Sequence, residues 1–173
     1  GLLTGTTCTV TEQPLTNWTQ TAPANGAPAS ATIATGTTTV DFTNVRQTSN
    51  LVITKAVVDP SATGATGTFQ IGVACAGQPV TGSPFTVDNI DGTTPTLTVS
   101  IPGIPAGTSC TVSETAPAGW QLEGITPDAT ITTGAGGNNI TVTNTRRVGA
   151  ATVTKAVDGG GPGGAFAFPL DCA

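Results

Sequence analysis

A long internal repeat is the feature of this sequence that most limits its fold. Three segments recur at an interval of about 100 residues, which is the size of a domain and much longer than one turn of a solenoid. The matched pairs are CTVTEQPLTNW (Cys8–Trp18) with CTVSETAPAGW (Cys110–Trp120), VDFTNVR (40–46) with ITVTNTR (140–146), and LVITKAV (51–57) with ATVTKAV (151–157). The chain therefore consists of consecutive copies of one domain.

The matched segments divide the chain into three parts. Residues 1–49 correspond to the C-terminal part of an incomplete repeat, residues 50–148 to one complete repeat, and residues 149–173 to the N-terminal strands of the next, incomplete repeat. The two outer parts together lack a counterpart of residues 76–102, so they do not make up one permuted domain. We expect a window from a longer tandem array; the alternative is a short protein with degenerate ends.

The complete repeat consists of short alternating apolar runs separated by Gly, Pro, Asn and Asp. Strand-length runs spaced by roughly 8 to 12 residues are typical of an antiparallel sandwich, and no segment has a helical period. The fold class predicted is all-β, with tandem antiparallel β-sandwiches of about 100 residues each. The connections VRQTSN and TRRVGA are too short to act as flexible coils, so consecutive domains are expected to form a semi-rigid rod.

Composition excludes several functions. Five basic residues against ten acidic ones argue against nucleic acid or an anionic membrane surface as a partner. No apolar run reaches the length of a membrane span, and GLLTGTTC lacks the basic and apolar regions of a signal peptide. Because the chain has no histidine, a Ser-His-Asp hydrolase is excluded, and no metal or other cofactor is expected.

Four cysteines without a CxxC spacing favour disulfides over zinc, which indicates an oxidising, extracellular compartment. Cys75 ends the run TFQIGVAC and Cys110 begins CTVSE, so they are the natural pair within the complete repeat. By alignment, Cys8 matches Cys110 and Cys172 matches Cys75, which places their partners outside this sequence. Buried free thiols are the alternative.

Polar residues stand on the apolar stripes of three predicted strands. Because strand side chains alternate between faces, Lys55 shares a face with Leu51, Ile53 and Val57. By the same parity Glu114 follows Cys110 and Val112, and Asn144 follows Ile140 and Val142; the outer copies repeat the pattern at Glu12, Asn44 and Lys155. Lys55 and Lys155 are the only lysines, and both occupy this position.

Burial of a lysine, a glutamate and an asparagine is unfavourable unless they satisfy one another. A chemical solution exists, because desolvation lowers the pKa of lysine and raises that of glutamate. A neutral Lys55 amine can attack the side-chain carbonyl of Asn144 while a protonated Glu114 polarises it, and ammonia leaves. The product is a cross-link between the first and last strands; the alternative is a hydrogen-bonded cluster with no covalent bond.

The lysine strand, the CTVSETAPAGW box and the final ITVTNTR strand resemble the B-type repeat of collagen-binding adhesins from Gram-positive bacteria. A Thr-rich, Cys-containing variety from actinobacterial surface repeat proteins looks most similar. The resemblance implies a prealbumin-like or inverse immunoglobulin sandwich with an internal isopeptide bond, in which Lys55 is the nucleophile, Asn144 the acceptor and Glu114 the catalyst. Cys110 stands where that family usually has an aromatic residue, and the box is one residue shorter.

These observations predict a structural repeat of a secreted or cell-surface bacterial stalk, adhesin backbone or filament, cross-linked by isopeptide and disulfide bonds. It is not expected to be an enzyme beyond this single autocatalytic turnover. The expected partners are neighbouring repeats and other copies in a filament. Two alternatives remain: a module that binds glycan or matrix through loops such as PFTVDNIDG, and a subunit that polymerises through its incomplete ends.

Overall fold

The structure is a computed structural model that describes residues 1–61, 64, 66–90, 96–134, 137–160 and 164–171. Its regular structure is made of strands, apart from a short 3-10 turn at Ala24–Gly26. Among the described residues, no helix is long and apolar enough to cross a membrane. The expected all-β fold is confirmed.

The first four strands belong to residues 7–46 and form two small antiparallel sheets, β1 with β3 and β2 with β4. Their bounds are β1 Thr7–Val10, β2 Trp18–Ala22, β3 Ala29–Thr32 and β4 Thr43–Arg46.

Nine strands follow between residues 48 and 146 and form two larger sheets. Their bounds are β5 Thr48–Val58, β6 Gly67–Cys75, β7 Gln78–Pro79, β8 Phe85–Ile90, β9 Thr96–Pro105, β10 Ser109–Thr115, β11 Trp120–Thr126, β12 Thr130–Thr132 and β13 Asn138–Arg146. One sheet has the order β11-β13-β5-β9, and the other has the order β12-β10-β6-β7 with β8 also paired to β6. Inward side chains from both sheets make one core, as in a sandwich.

The first and last strands of this sandwich lie side by side and run parallel, whereas the other pairs are antiparallel. The antiparallel sandwich predicted from the sequence did not include this parallel pair. In its register Val142 lies opposite Lys55, and Asn144 lies opposite Val57. Parallel pairing therefore brings the lysine strand and the asparagine strand together along their whole length.

The first four strands repeat the pairing of the later ones. β2 with β4 matches β11 with β13, down to the pairing of Trp18 with Arg46 and of Trp120 with Arg146. In both strand pairs a β-bulge interrupts the register two residues after the tryptophan, directly after Gln20 and directly after Leu122. Residues 7–46 thus adopt the strand pairings of the C-terminal half of the complete sandwich.

Phe69 explains why the two tryptophans differ in burial. Trp120 is 4% exposed and packs edge-to-face on Phe69 with 5.5 Å between ring centroids. Trp18 is 41% exposed, and among the described residues no aromatic ring packs on it.

The described residues after Arg146, which are 147–160 and 164–171, form no strand. Their sequence predicts the first strands of another repeat, but a strand needs neighbours to satisfy its backbone groups. β5 has β9 and β13 on its two sides, whereas none of the described residues after Arg146 pairs with another strand.

Candidate functional site: a buried lysine, glutamate and asparagine

Lys55 lies in the middle of the core. The burial of β5 alternates strictly from Ser49 to Val57, and this period places every second side chain inside the sandwich. Leu51, Ile53 and Lys55 are each 0% exposed. The ammonium group is therefore held among apolar side chains, where a charge is costly unless partners surround it.

The partners of the Lys55 amine come from its own strand, from β13 and from β6. Nζ donates a hydrogen bond to the carbonyl oxygen of Ala56 at 2.7 Å and to that of Val142 at 3.2 Å. It also lies 4.3 Å from the centroid of the Phe69 ring, a cation–π contact. Phe69 was not predicted as a member of the site, although its parity with Ile71 and Val73 indicates an inward side chain.

Glu114 reaches the lysine and the asparagine from the opposite sheet. Its side chain is 0% exposed, and its Oε2 lies 3.8 Å from Lys55 Nζ. Its Oε1 accepts a hydrogen bond from Nδ2 of Asn144 at 2.6 Å. Asn144 is itself 0% exposed. The three residues predicted from strand parity are thus brought together, with the carboxyl group between the amine and the amide.

Two oxygen atoms of this cluster are unsatisfied. Within the described part of the chain, Glu114 Oε2 and Asn144 Oδ1 are buried and have no hydrogen-bond partner. A buried polar atom without a partner costs about 1–3 kcal/mol, and such atoms are rare in folded proteins. The hydrogen-bonding capacity of the cluster is therefore only partly used by the described protein atoms.

Burial shifts both titrating groups towards their neutral forms. It lowers the pKa of Lys55 to about 8, against the opposing effect of the Glu114 charge. It raises the pKa of Glu114, against the hydrogen bond from Asn144 and the charge of Lys55. Desolvation is the largest cause in each case, so the pair is closer to proton exchange than the same groups in water.

A disulfide joins Cys75 and Cys110, the pair expected from the sequence. These residues lie opposite each other in the β6–β10 register, with 4.1 Å between their Cα atoms. Glu114 is four residues further along β10 and lies opposite Ile71. The disulfide therefore links the strand that carries Glu114 to the strand that carries Phe69.

The first copy contains the acceptor half of the same cluster. Nδ2 of Asn44 donates to Oε1 of Glu12 at 2.6 Å, which is the distance found between Asn144 and Glu114. Oε2 of Glu12 is also without a hydrogen-bond partner among the described residues. Cys8, the counterpart of Cys110, is a free thiol.

The last copy contains the lysine half. Lys155 Nζ donates to the carbonyl of Ala156 at 2.7 Å and lies 4.8 Å from the Phe166 ring centroid, although Lys155 is exposed. These contacts match those of Lys55 with Ala56 and Phe69. Cys172 lies outside the described residues, as do residues 91 and 92 of the loop PFTVDNIDG.

A family model matches residues 1–46 and again residues 51–147, and its description is "Domain of unknown function (DUF5979)". The chain belongs to this family. The two matched segments of the DUF5979 chain coincide with the first four strands and with the two-sheet sandwich. No curated protein matches the chain.

Three solved structures of major pilins from Streptococcus pyogenes are similar to this DUF5979 chain. The T3.2 pilin has 16% identity and a TM-score of 0.38 over 72% of this chain and 54% of its own. The T-13 pilin has 17% identity and a TM-score of 0.40 over 80% and 66%. A further major pilin has 13% identity and a TM-score of 0.39 over 84% and 66%. The chain therefore spans about half of the T3.2 pilin.

Proposed function

We propose that this chain is part of an extracellular bacterial stalk, adhesin backbone or filament in which sandwich repeats follow one another. Residues 50–148 form the complete repeat, and residues 1–49 and 149–173 belong to its neighbours. The observation that carries the proposal is the buried cluster of Lys55, Glu114 and Asn144, which connects the first and last strands of the sandwich. Kinship with Thr-rich actinobacterial surface repeats is part of the same proposal.

The cluster is suited to form an isopeptide bond between Lys55 and Asn144. A proton passes from the Lys55 ammonium to the Glu114 carboxylate, which leaves a neutral amine and a carboxylic acid. Nζ attacks Cγ of Asn144, the Nζ–Cγ bond forms, and the Cγ–Nδ2 bond breaks. Glu114 gives its proton to the leaving nitrogen, which departs as ammonia, and takes one proton from the former amine, so that Glu114 ends as a neutral carboxylic acid and the new amide keeps one hydrogen. Two buried charges disappear, and no oxidant or cofactor is consumed.

The contacts of the cluster are those expected before proton transfer. The Asn144 amide donates to Oε1, as suits an ionised carboxylate, and Oδ1 has no partner. Once Glu114 is protonated it becomes a donor, and rotation of the carboxamide would bring Oδ1 to face it. That rotation satisfies Oδ1 and polarises the carbonyl for attack.

Such a bond would suit a protein under tension. The parallel pairing of β5 and β13 means that a pull on both ends of the sandwich shears these two strands along their length. A bond from Lys55 to Asn144 passes the force directly between them and bypasses the 88 residues in between. The domain would then resist extension even after its hydrogen bonds fail.

The proposal is tested by digesting the denatured, reduced full chain with trypsin and measuring peptide masses. Lys55 is the only Lys or Arg between Arg46 and Arg146, so a free amine gives peptides 47–55 and 56–146. An isopeptide blocks cleavage and gives one peptide, 47–146, lighter by one ammonia. Lys155 is the internal control, because among the described residues its amine has no Glu or Asn partner, and it should be cleaved in the same digest. Complete cleavage at both lysines would refute the cross-link.

The rate of cross-linking should have a bell-shaped pH dependence. The ion pair and the neutral pair hold the same number of protons, so the reactive fraction is constant between the two pKa values. Above about pH 8 the pair loses a proton and Glu114 stays ionised; below the raised pKa of Glu114 the extra proton keeps Lys55 charged. Each limb should fall about tenfold per pH unit.

To measure the profile, the protein is produced in unfolded form and refolded at a series of pH values. Samples are quenched into denaturant at intervals, and the loss of ammonia is followed by mass. A rate that rises steadily with pH beyond the pKa of Lys55 would show that the amine acts without a protonated Glu114.

A further inference from the structure

The junction between β4 and β5 is an ordered joint. Only Gln47 separates the two strands. Residues 1–46, the first unit, nevertheless contact residues 48–146, the second unit, through both side-chain and backbone hydrogen bonds. Nε and Nη2 of Arg46 both donate to the carbonyl oxygen of Ala106, at 3.2 and 2.8 Å. The Ala106 N–H donates to the Gln47 carbonyl at 2.9 Å, and the Gln47 N–H donates to the Asn17 carbonyl at 2.8 Å.

Gly107 completes the joint by leaving space for a side chain of the first unit. Its φ is +80°, and a Cβ there would stand 2.8 Å from Nδ2 of Asn17 and 3.8 Å from Nη2 of Arg46. Gly103 also has a positive φ, +72°, but a Cβ there would meet nothing within 4 Å. Both positions favour glycine for the backbone, while only Gly107 has a neighbour from the first unit.

Both halves of the joint occur a second time in the chain. On the arginine side, the Arg147 N–H donates to the Gly119 carbonyl at 2.8 Å, as Gln47 does to Asn17. Arg146 precedes Arg147 as Arg46 precedes Gln47. This side of the joint is therefore built in the same way at the end of each matched segment.

On the turn side, Gly5 is the counterpart of Gly107 and has a φ of +89°. Its N–H donates to the Ile33 carbonyl at 2.8 Å, as the Gly107 N–H does to Thr133 at 2.6 Å. The turn that receives the arginine is thus also a standard part of the repeat.

We propose that Arg46, and equally Arg146, clamps its repeat onto the glycine turn of the next repeat, so that successive repeats meet at one fixed angle. The partner of this surface is another copy of the same repeat. A joint repeated without change turns a row of domains into a rod of constant twist. The inference rests on the proposed repeat array, but it does not depend on the isopeptide bond.

The test is to measure residual dipolar couplings of the full chain for Arg46→Ala, with Arg146→Ala as the matched control. In the wild type and in the control, residues 18–46 and residues 48–146 should share one alignment tensor. In Arg46→Ala the magnitude of the alignment tensor of residues 18–46 should fall by about half or more. Amide exchange of Ala106 should accelerate about fivefold, which equals about 1 kcal/mol at 1.4 kcal/mol per tenfold change.

A second pair of variants, Gly107→Ala and Gly103→Ala, separates the joint from backbone strain. Gly103 lies in β9 and Gly107 in the turn that follows it, and alanine should strain the backbone at both because each φ is positive, but only Gly107→Ala should uncouple the two tensors. The proposal is overturned if the units of the wild type align independently, or if each variant behaves like its control. The tryptic peptide that reports the isopeptide bond becomes 1–146 in Arg46→Ala and 47–147 in Arg146→Ala, and it stays 47–146 in the two glycine variants, so the two proposals fail separately.

Discussion

Stretching the Glu114→Gln chain by its ends should release roughly 200 Å more length than stretching the wild type, at about 3.5 Å per extended residue. Glutamine keeps a side-chain oxygen for the Asn144 amide but has no proton to transfer, so the fold survives and the isopeptide does not form. Without that bond, unfolding extends residues 48–75 and 110–146, with the disulfide still closing the loop between them.

In the wild type the same pull extends only residues 48–55 and 144–146, which are already extended in β5 and β13. The gain from the sandwich should be less than about 40 Å. Single-molecule force spectroscopy on oxidised chains measures both lengths, and residues 1–46 contribute equally to each. The chain-entropy model adds an equilibrium effect: a link that closes about 89 residues should raise the free energy of unfolding by about 4–5 kcal/mol.

Lys155→Met is the control for this prediction, because Lys155 occupies the equivalent sequence position but contacts neither a glutamate nor an asparagine in the part of the chain that the structure describes. It should stretch like the wild type. Equal short extension of Glu114→Gln and the wild type would mean either that Glu114 is not needed for the bond or that another feature carries the force. A trypsin digest of the same protein preparations shows whether the Lys55–Asn144 bond is present and so distinguishes these outcomes.

The positions of Lys55, Glu114 and Asn144 were predictable because strands of a two-layer sandwich have one inward face and a period of two. Once the apolar residues of each strand identify that face, a polar residue of the same parity must be buried with them. The same argument could have placed Phe69 under the lysine. Parity therefore identifies the members of the site, without any knowledge of the strand order.

Strand direction and strand neighbours were not predictable in this way. Parity is the same for parallel and antiparallel pairs, so the parallel contact of β5 with β13 required the structure. The lysine segment at 151–157 shows the other limit, because it nearly repeats the sequence of β5 but does not form a strand. A strand is fixed by partners that lie far away in sequence, and local propensity does not supply them.

Reduction of the disulfide should lengthen the stretched Glu114→Gln chain but not the stretched wild type. In Glu114→Gln it should add roughly 120 Å to the extension, because the loop of about 35 residues between Cys75 and Cys110 is released. In the wild type it should add nothing, since both cysteines lie inside the segment that the Lys55–Asn144 bond already bypasses. The two chains differ because the Cys75–Cys110 disulfide lies entirely within the segment closed by the Lys55–Asn144 bond.

Reduction should still weaken the wild-type fold at equilibrium, even though it leaves its extension unchanged. The chain-entropy model gives a loss of about 3–4 kcal/mol for this loop, and urea unfolding with and without reductant measures it. Cys8→Ala is the matched control, because its thiol is free and should contribute little. A wild type that lengthens on reduction would show that the force passes through Cys75 and Cys110, and that Lys55 and Asn144 are hydrogen-bonded neighbours only.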